Sequence, residues 1–321
     1  SYGTDTAITK TGAEELPESG WTWALQSNLT TSEYAIKLNS YNGGIICANE
    51  TVWGSGKCGL DMELSGWNYI KDNYYGIRLG DCNITLHGKG NLEITTTESS
   101  TRAIEANSLT VDLPTGKKLT VNASSNRDLY SYGIYANENF MLSSGIVSVA
   151  MIGSIPEYEA VGICSGNVTI NGGFLTVTAT NSGESYGIRG VSKRNSETGE
   201  YEYPANVTFN EGSIQISGGT RAIDSMNAPV VSDVLKLYAG KVSDKSDSQL
   251  YNPDTFEENI YDYTEHKHCK CGAADTHEET RKCTYYQADN FAPWSDADSL
   301  PAYGTYYLTK DVVLKDTWKV T

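Results

Sequence analysis

The stretch Gly162-Ile163-Cys164-Ser165-Gly166-Asn167-Val168-Thr169-Ile170, followed shortly by Leu175-Thr176-Val177, holds one complete unit of a pattern that runs through most of the chain. It begins with a small residue and isoleucine. The same pair recurs as Gly44-Ile45, Gly76-Ile77, Ala103-Ile104, Gly133-Ile134, Gly187-Ile188 and Ala222-Ile223. Successive isoleucine numbers differ by 32, 27, 30, 29, 25 and 35. An alternating strand follows most pairs, as in Asn83-Ile84-Thr85-Leu86, Leu109-Thr110-Val111 and Asn206-Val207-Thr208-Phe209. After a glycine-containing turn comes a third strand, as in Leu92-Glu93-Ile94, Leu119-Thr120-Val121 and Ile214-Gln215-Ile216.

Three short strands of period two per unit, at roughly 25 to 35 residues per unit, predict a three-sided β-coil. One coil cannot bury its inward residues alone. Stacked coils can, because each inward isoleucine then sits above another at about 4.8 Å. Seven stacked isoleucines contribute on the order of 10–20 kcal/mol of gross burial, at about 1.5–3 kcal/mol each, most of it opposed by conformational entropy. The small residue before each isoleucine is expected at a corner where a branched Cβ would clash. A β-sandwich also needs alternation and turns, but it does not need one dipeptide at a near-constant period. The expected fold is therefore all-β, a parallel β-helix (β-solenoid) of about seven coils. An N-terminal cap occupies 1–31, the solenoid 32–250, and a linker with a His/Cys cluster and the start of a second β unit 251–321.

Composition agrees with this reading. The 321 residues are 39% hydrophobic and 20% charged, with 31 Gly, 8 Pro and 22 Tyr against 5 Phe. Tyrosine places a large ring on an exposed sheet face while its hydroxyl stays hydrated. The net charge of −16 repels phosphate backbones and anionic bilayers, which argues against nucleic acid and membrane partners. No run of 18 apolar residues is present, so no helical span and no membrane insertion are expected. The Ser1-Tyr2-Gly3 start, without Met, is what an excised fragment or a mature secreted chain would show. A monomer is expected.

The passage Leu38-Asn39-Ser40-Tyr41-Asn42-Gly43-Gly44-Ile45, the Tyr-Gly-Ile units and Leu237-Tyr238-Ala239-Gly240 resemble a family of large repeat-containing surface proteins of gut and rumen Firmicutes with carbohydrate-binding or adhesin-like parallel β-helix units. Glu265-His266-Lys267-His268-Cys269-Lys270-Cys271-Gly272 is similar to the His-x-His-Cys-x-Cys-Gly segment that precedes solenoid units in such proteins. The resemblance implies secretion to the bacterial cell surface and a binding role. Some proteins of this look engage host immunoglobulin.

Binding residues are expected two positions before the anchor isoleucine. These are Tyr75, Tyr132 and Tyr186 in three coils and Arg102 and Arg221 in two others. Stacking aligns them in a column able to meet sugar faces or a protein, or simply to tie coils together. The insertion Val191 to Pro204 carries Tyr201 and Tyr203 as a second candidate surface. No catalytic constellation is found. Carboxylates such as Asp61, Asp72, Asp81, Glu93, Glu105 and Asp112 are scattered, and glycoside hydrolysis needs a pair across a groove. His87 is a lone surface residue.

Seven cysteines are present. His266, His268, Cys269, Cys271, His277 and Cys283 offer ligands for a structural Zn²⁺, with a Cys271–Cys283 disulfide as the alternative. Carboxylates could hold Ca²⁺. No cofactor is required. Cys58 and Cys82 fall at the same coil position, either as a disulfide or as two buried thiols. Cys47 and Cys164 are expected to be free. The expected function is a noncatalytic, adhesin-like module engaging a host glycan or glycoprotein. The alternatives are a superantigen-like binder of secretory immunoglobulin, a structural stalk, or a polysaccharide-degrading enzyme.

Overall fold

The computed structural model describes residues 20–25, 33–47, 58–97, 102–126, 130–196, 199, 201–233, 235–240, 249–250, 253, 262–267, 291–294 and 305–308. The chain is an all-β parallel solenoid, and its elements repeat as the sequence pattern predicts. Each turn begins with a segment containing the anchor isoleucine, bends into a second segment, and after a glycine turn enters a third. In Tyr75–Gly88, Arg102–Asp112, Tyr130–Ser144 and Glu159–Ile170 the first two segments form one continuous bent strand. The bend shows as a register slip, between Leu79 and Asn83 and again between Ala136 and Asn139. About five turns are complete, with partial ones at the ends, against the seven expected.

The anchor isoleucines form a single file. Ile77 lies beside Ile104, Ile104 beside Ile134, Ile134 beside Ile163, Ile163 beside Ile188, and Ile188 beside Ile223. All six are buried. The first rung differs from expectation: Ile46, not Ile45, is the partner of Ile77, so the repeat at that end is one residue shorter. Two further files complete the core. One runs Ile84, Leu109, Phe140, Val168, Val207. The other runs Ile94, Val121, Val149, Val177, Ile216.

The small residue of each pair has a clearer reason than a tight corner. Gly76 and Ile77 are both buried and face the interior, and the ladder pairs Tyr75 and Ile77 across the turn but not the glycine between them. A Cβ on Gly76 would lie 2.2 Å from Cγ2 of Ile94, and one on Gly162 2.3 Å from Cγ1 of Val177. The first face has room for one inward side chain per turn at this point, and isoleucine fills it.

Polar ladders decorate the corners. The Asn167 amide donates to Asn139 Oδ1 at 3.0 Å, Asn206 to Asn167 at 2.9 Å, and Asn227 to Asn206 at 3.3 Å. Each amide can both donate and accept, so asparagine satisfies itself when stacked on asparagine.

At each end of the solenoid one face finishes with an antiparallel strand. Gly20–Leu25 pairs antiparallel with Glu33–Asn39. At the other end Asp262–Lys267 runs antiparallel against Ser213–Gly218, and Leu235–Gly240 then adds antiparallel to it. Leu235–Gly240 is thus not the next parallel rung, because a strand from far along the chain inserts between. Reversing direction interrupts the stacking that an open edge would otherwise continue.

Candidate binding surface on the first face

Because both members of each small-Ile pair face inward, two side chains point outward per turn, one before the pair and one after it. Residues before the pair align as Tyr75, Arg102, Tyr132, Val161, Tyr186 and Arg221. Five of these are the expected column, and they do share one file. Residues after the pair align as Arg78, Glu105, Tyr135, Cys164, Arg189 and Asp224. That second file was not anticipated. The signal for it lay in the residue following each isoleucine.

The two files lock into each other. Arg102 pairs with Glu105, and its guanidinium lies 4.3 Å from the Tyr135 ring centroid and 5.6 Å from that of Tyr132. Arg78 lies 4.7 Å over Tyr75, with Nε 3.5 Å from Glu105. Tyr132 and Tyr135 meet edge to face at 5.2 Å. Val161, Cys164 and Tyr186 are buried beneath Tyr132, Tyr135 and Val191 in a small apolar cluster outside the main core.

Arg189 closes the strip and is itself buried. It pairs with Glu159, and its Nε lies 2.9 Å from Asp224. Its guanidinium is sandwiched, 4.1 Å from Tyr186 and 3.5 Å from Tyr203. Tyr203 comes from the insertion, where Lys193–Arg194 and Tyr201–Glu202 form a small antiparallel ribbon. The insertion is therefore fastened over the strip, and Tyr201 projects from it with 65% of its surface exposed.

Burial sets the electrostatics. The Cys164 thiol is pushed up to about 12, chiefly by burial, although Arg189 and Arg102 pull it down. Burial likewise raises the phenols of Tyr132, Tyr186 and Tyr135. It raises the Glu159 carboxyl against the pull of Arg189. For Arg189 burial works against the charge, but Glu159, Tyr186 and Asp224 outweigh it.

Much of the expected column is therefore engaged in holding coils together. Tyr186 is buried, Tyr132, Arg102 and Arg221 are partly covered, and Arg221 lies 3.7 Å from Asp224. Tyr75 is likewise partly covered, by Arg78, and exposed groups remain at the two ends, Arg78 at one and Tyr201 at the other. Cys164 is free and buried, as expected. Cys82 is disulfide-bonded, and the residue beside it in the ladder is Cys58. His87 is not alone: its Nε2 lies 2.8 Å from Asp61 Oδ1. His268, Cys269, Cys271, His277 and Cys283 lie outside the described residues, as do the Cys47 and His266 side chains. Among the described residues no group of three His, Cys, Asp or Glu gathers to hold a metal ion.

Comparison of the chain with protein-family models, with curated proteins and with solved structures returns no match.

Proposed function

We propose that this chain is a noncatalytic, surface-displayed binding module of an adhesin-like protein, secreted to the cell wall of a gut bacterium. Its ligand is a host extracellular macromolecule, most simply a glycan. The observation that carries the reading is the insertion clamped by Tyr203 on Arg189, with Tyr201 left standing 65% exposed. An aromatic held on a rigid support contacts a ligand with little ordering cost. The carboxylates of the strip favour binding over hydrolysis. Glu105, Glu159 and Asp224 each pair with an arginine, whereas a glycosidase needs two available carboxyl groups about 5–10 Å apart.

A host protein such as secretory immunoglobulin is the second reading. The tyrosine-bearing projecting insertion favours it, since rigid tyrosines dominate protein-binding loops. A glycan array and a pull-down from mucosal secretions, each with wild type and Tyr201→Ala, separate the two. Sugar hits lost in Tyr201→Ala support the glycan reading. Immunoglobulin capture without sugar hits supports the second. Failure of both would favour a stalk, and release of oligosaccharides from pectin or mucin would establish an enzyme.

A further inference from the structure

The third segments carry a separate aromatic feature on their outward side. In Trp67–Asp72 exposure alternates, so Trp67, Tyr69 and Lys71 point out while Asn68 and Ile70 point in. Trp67 is 50% exposed and Tyr69 40%. Their ring planes are within 15° of parallel, with centroids 6.3 Å apart. That spacing is close to the two-residue advance of a strand, about 6.6 Å, so the sheet itself sets it.

The surroundings are polar. Asn91, the ladder neighbour of Trp67, is buried, and its Oδ1 accepts from the Lys118 backbone N–H at 3.0 Å. The Trp67 ring lies 5.5 Å from Lys118 Nζ. Tyr69 has Asn42 on one side and Glu93 on the other. Glu93 accepts a hydrogen bond from Asn122 at 3.4 Å. The two nearly parallel rings are thus bordered by the Lys118 ammonium, a carboxylate and amides.

We propose that Trp67 and Tyr69 form a stacking platform for a neutral oligosaccharide. The proposal rests on the glycan arm of the reading above and adds to it a second contact region on a different face. The C–H faces of successive sugars would lie on the two rings. Their hydroxyls would meet Lys71, Lys118, Glu93 and Asn122, which supply both donors and acceptors. A protein partner fits less well. Two whole aromatic side chains bury about 300–500 Å², and these are only half exposed, whereas a stable protein interface takes about 800 Å² per partner. The net charge of −16 disfavours acidic polysaccharides and nucleic acid.

The test is calorimetric titration of the whole chain with cellohexaose, mannohexaose and a poly-N-acetyllactosamine hexasaccharide. At least one should bind. Its affinity should fall about tenfold or more in Trp67→Ala and in Tyr69→Ala, as truncating a central aromatic anchor does. It should stay near wild type in Trp67→Phe and in Thr176→Ala, an outward residue of the same sheet. As a check that needs no truncation, the Trp67 indole N–H resonance, assigned by its loss in Trp67→Phe, should shift on titration. Binding of none of the three sugars overturns the platform. So does binding that is lost in Tyr201→Ala but kept in Trp67→Ala, a result that would leave the proposed function standing. Capture of a macromolecule from secretions by a chain that binds no hexaose would likewise sink the platform alone.

Discussion

The guanidinium of Arg189 lies 3.5 Å from the ring centroid of Tyr203, and this contact joins the inserted ribbon to the solenoid. Replacing Arg189 with Met keeps the packing volume but strands Glu159, whose side chain is 17% exposed, and leaves Asp224 only the longer 3.7 Å contact with Arg221. The loss should be about 2–4 kcal/mol in urea unfolding, somewhat below a fully buried pair. Tyr203→Ala should cost about 1–2 kcal/mol and raise the rate of proteolytic nicking between 191 and 204. An Arg189→Met variant as stable as wild type would show that the carboxylates do not depend on this arginine.

The isoleucine file makes a second prediction. Ile134 is fully buried between Ile104 and Ile163. Ile134→Ala should destabilise by about 2–5 kcal/mol. Thr176→Ala, on the outward side of its strand, should stay within about 0.5 kcal/mol. Equal effects from the two would contradict the inside–outside assignment.

At Gly162 even a methyl group is too large. The added carbon would meet Val177 Cγ1 at 2.3 Å and the Gly187 carbonyl oxygen at 2.6 Å. Gly162→Ala should cost about 1–3 kcal/mol as overpacking. Combining it with Val177→Ala should recover part of that loss, a coupling that a double-mutant cycle measures.

Alkaline pH should weaken the outer cluster. The Cys164 thiol moves from an ordinary 9.0 to about 12 in the folded chain, chiefly through burial. Between those values the unfolded chain has lost the proton and the folded chain keeps it. Stability is therefore fully present below about pH 9 and falls as pH rises toward 12. The phenols of Tyr132 and Tyr186, also raised by burial, act in the same direction. Cys164→Ala should flatten part of the slope in melting temperature against pH. In the native protein at pH 8, Cys164 should resist thiol reagents and react on unfolding.

Cys82 is disulfide-bonded, with Cys58 its ladder neighbour. Peptide mapping without reductant should recover the two as one cross-linked species. Closing a loop of this length restricts the unfolded chain by about 3 kcal/mol, so reductant or Cys82→Ser should lower the melting temperature. A cross-link from Cys82 to any other cysteine would contradict the register at the first turns.

Much of the architecture was legible because each rung repeats the same local chemistry. The pairs Gly76-Ile77 through Ala222-Ile223 announced six stacked isoleucines, and all six stack. Ile45 misled because Ile45 and Ile46 are adjacent, and spacing alone does not distinguish them. The column from Tyr75 to Arg221 was legible as a column. That it could tie coils together was legible too, but its partners were not, because Glu105, Tyr135, Cys164 and Arg189 occupy the other file and show no common residue type. The asparagine ladder was hidden for a related reason: Asn139, Asn167, Asn206 and Asn227 lie at unequal intervals.

The sequence by itself determined the period, the inward residues and the outward alternation, since these follow from side-chain size and strand geometry within a few residues. Only the tertiary structure decided which outward groups meet. Neighbours across turns are between 21 and 39 residues apart, and a single corner slip changes the partner. It also decided that Asp262–Lys267 would lie between two earlier strands, because an open sheet edge accepts any backbone that can reach it.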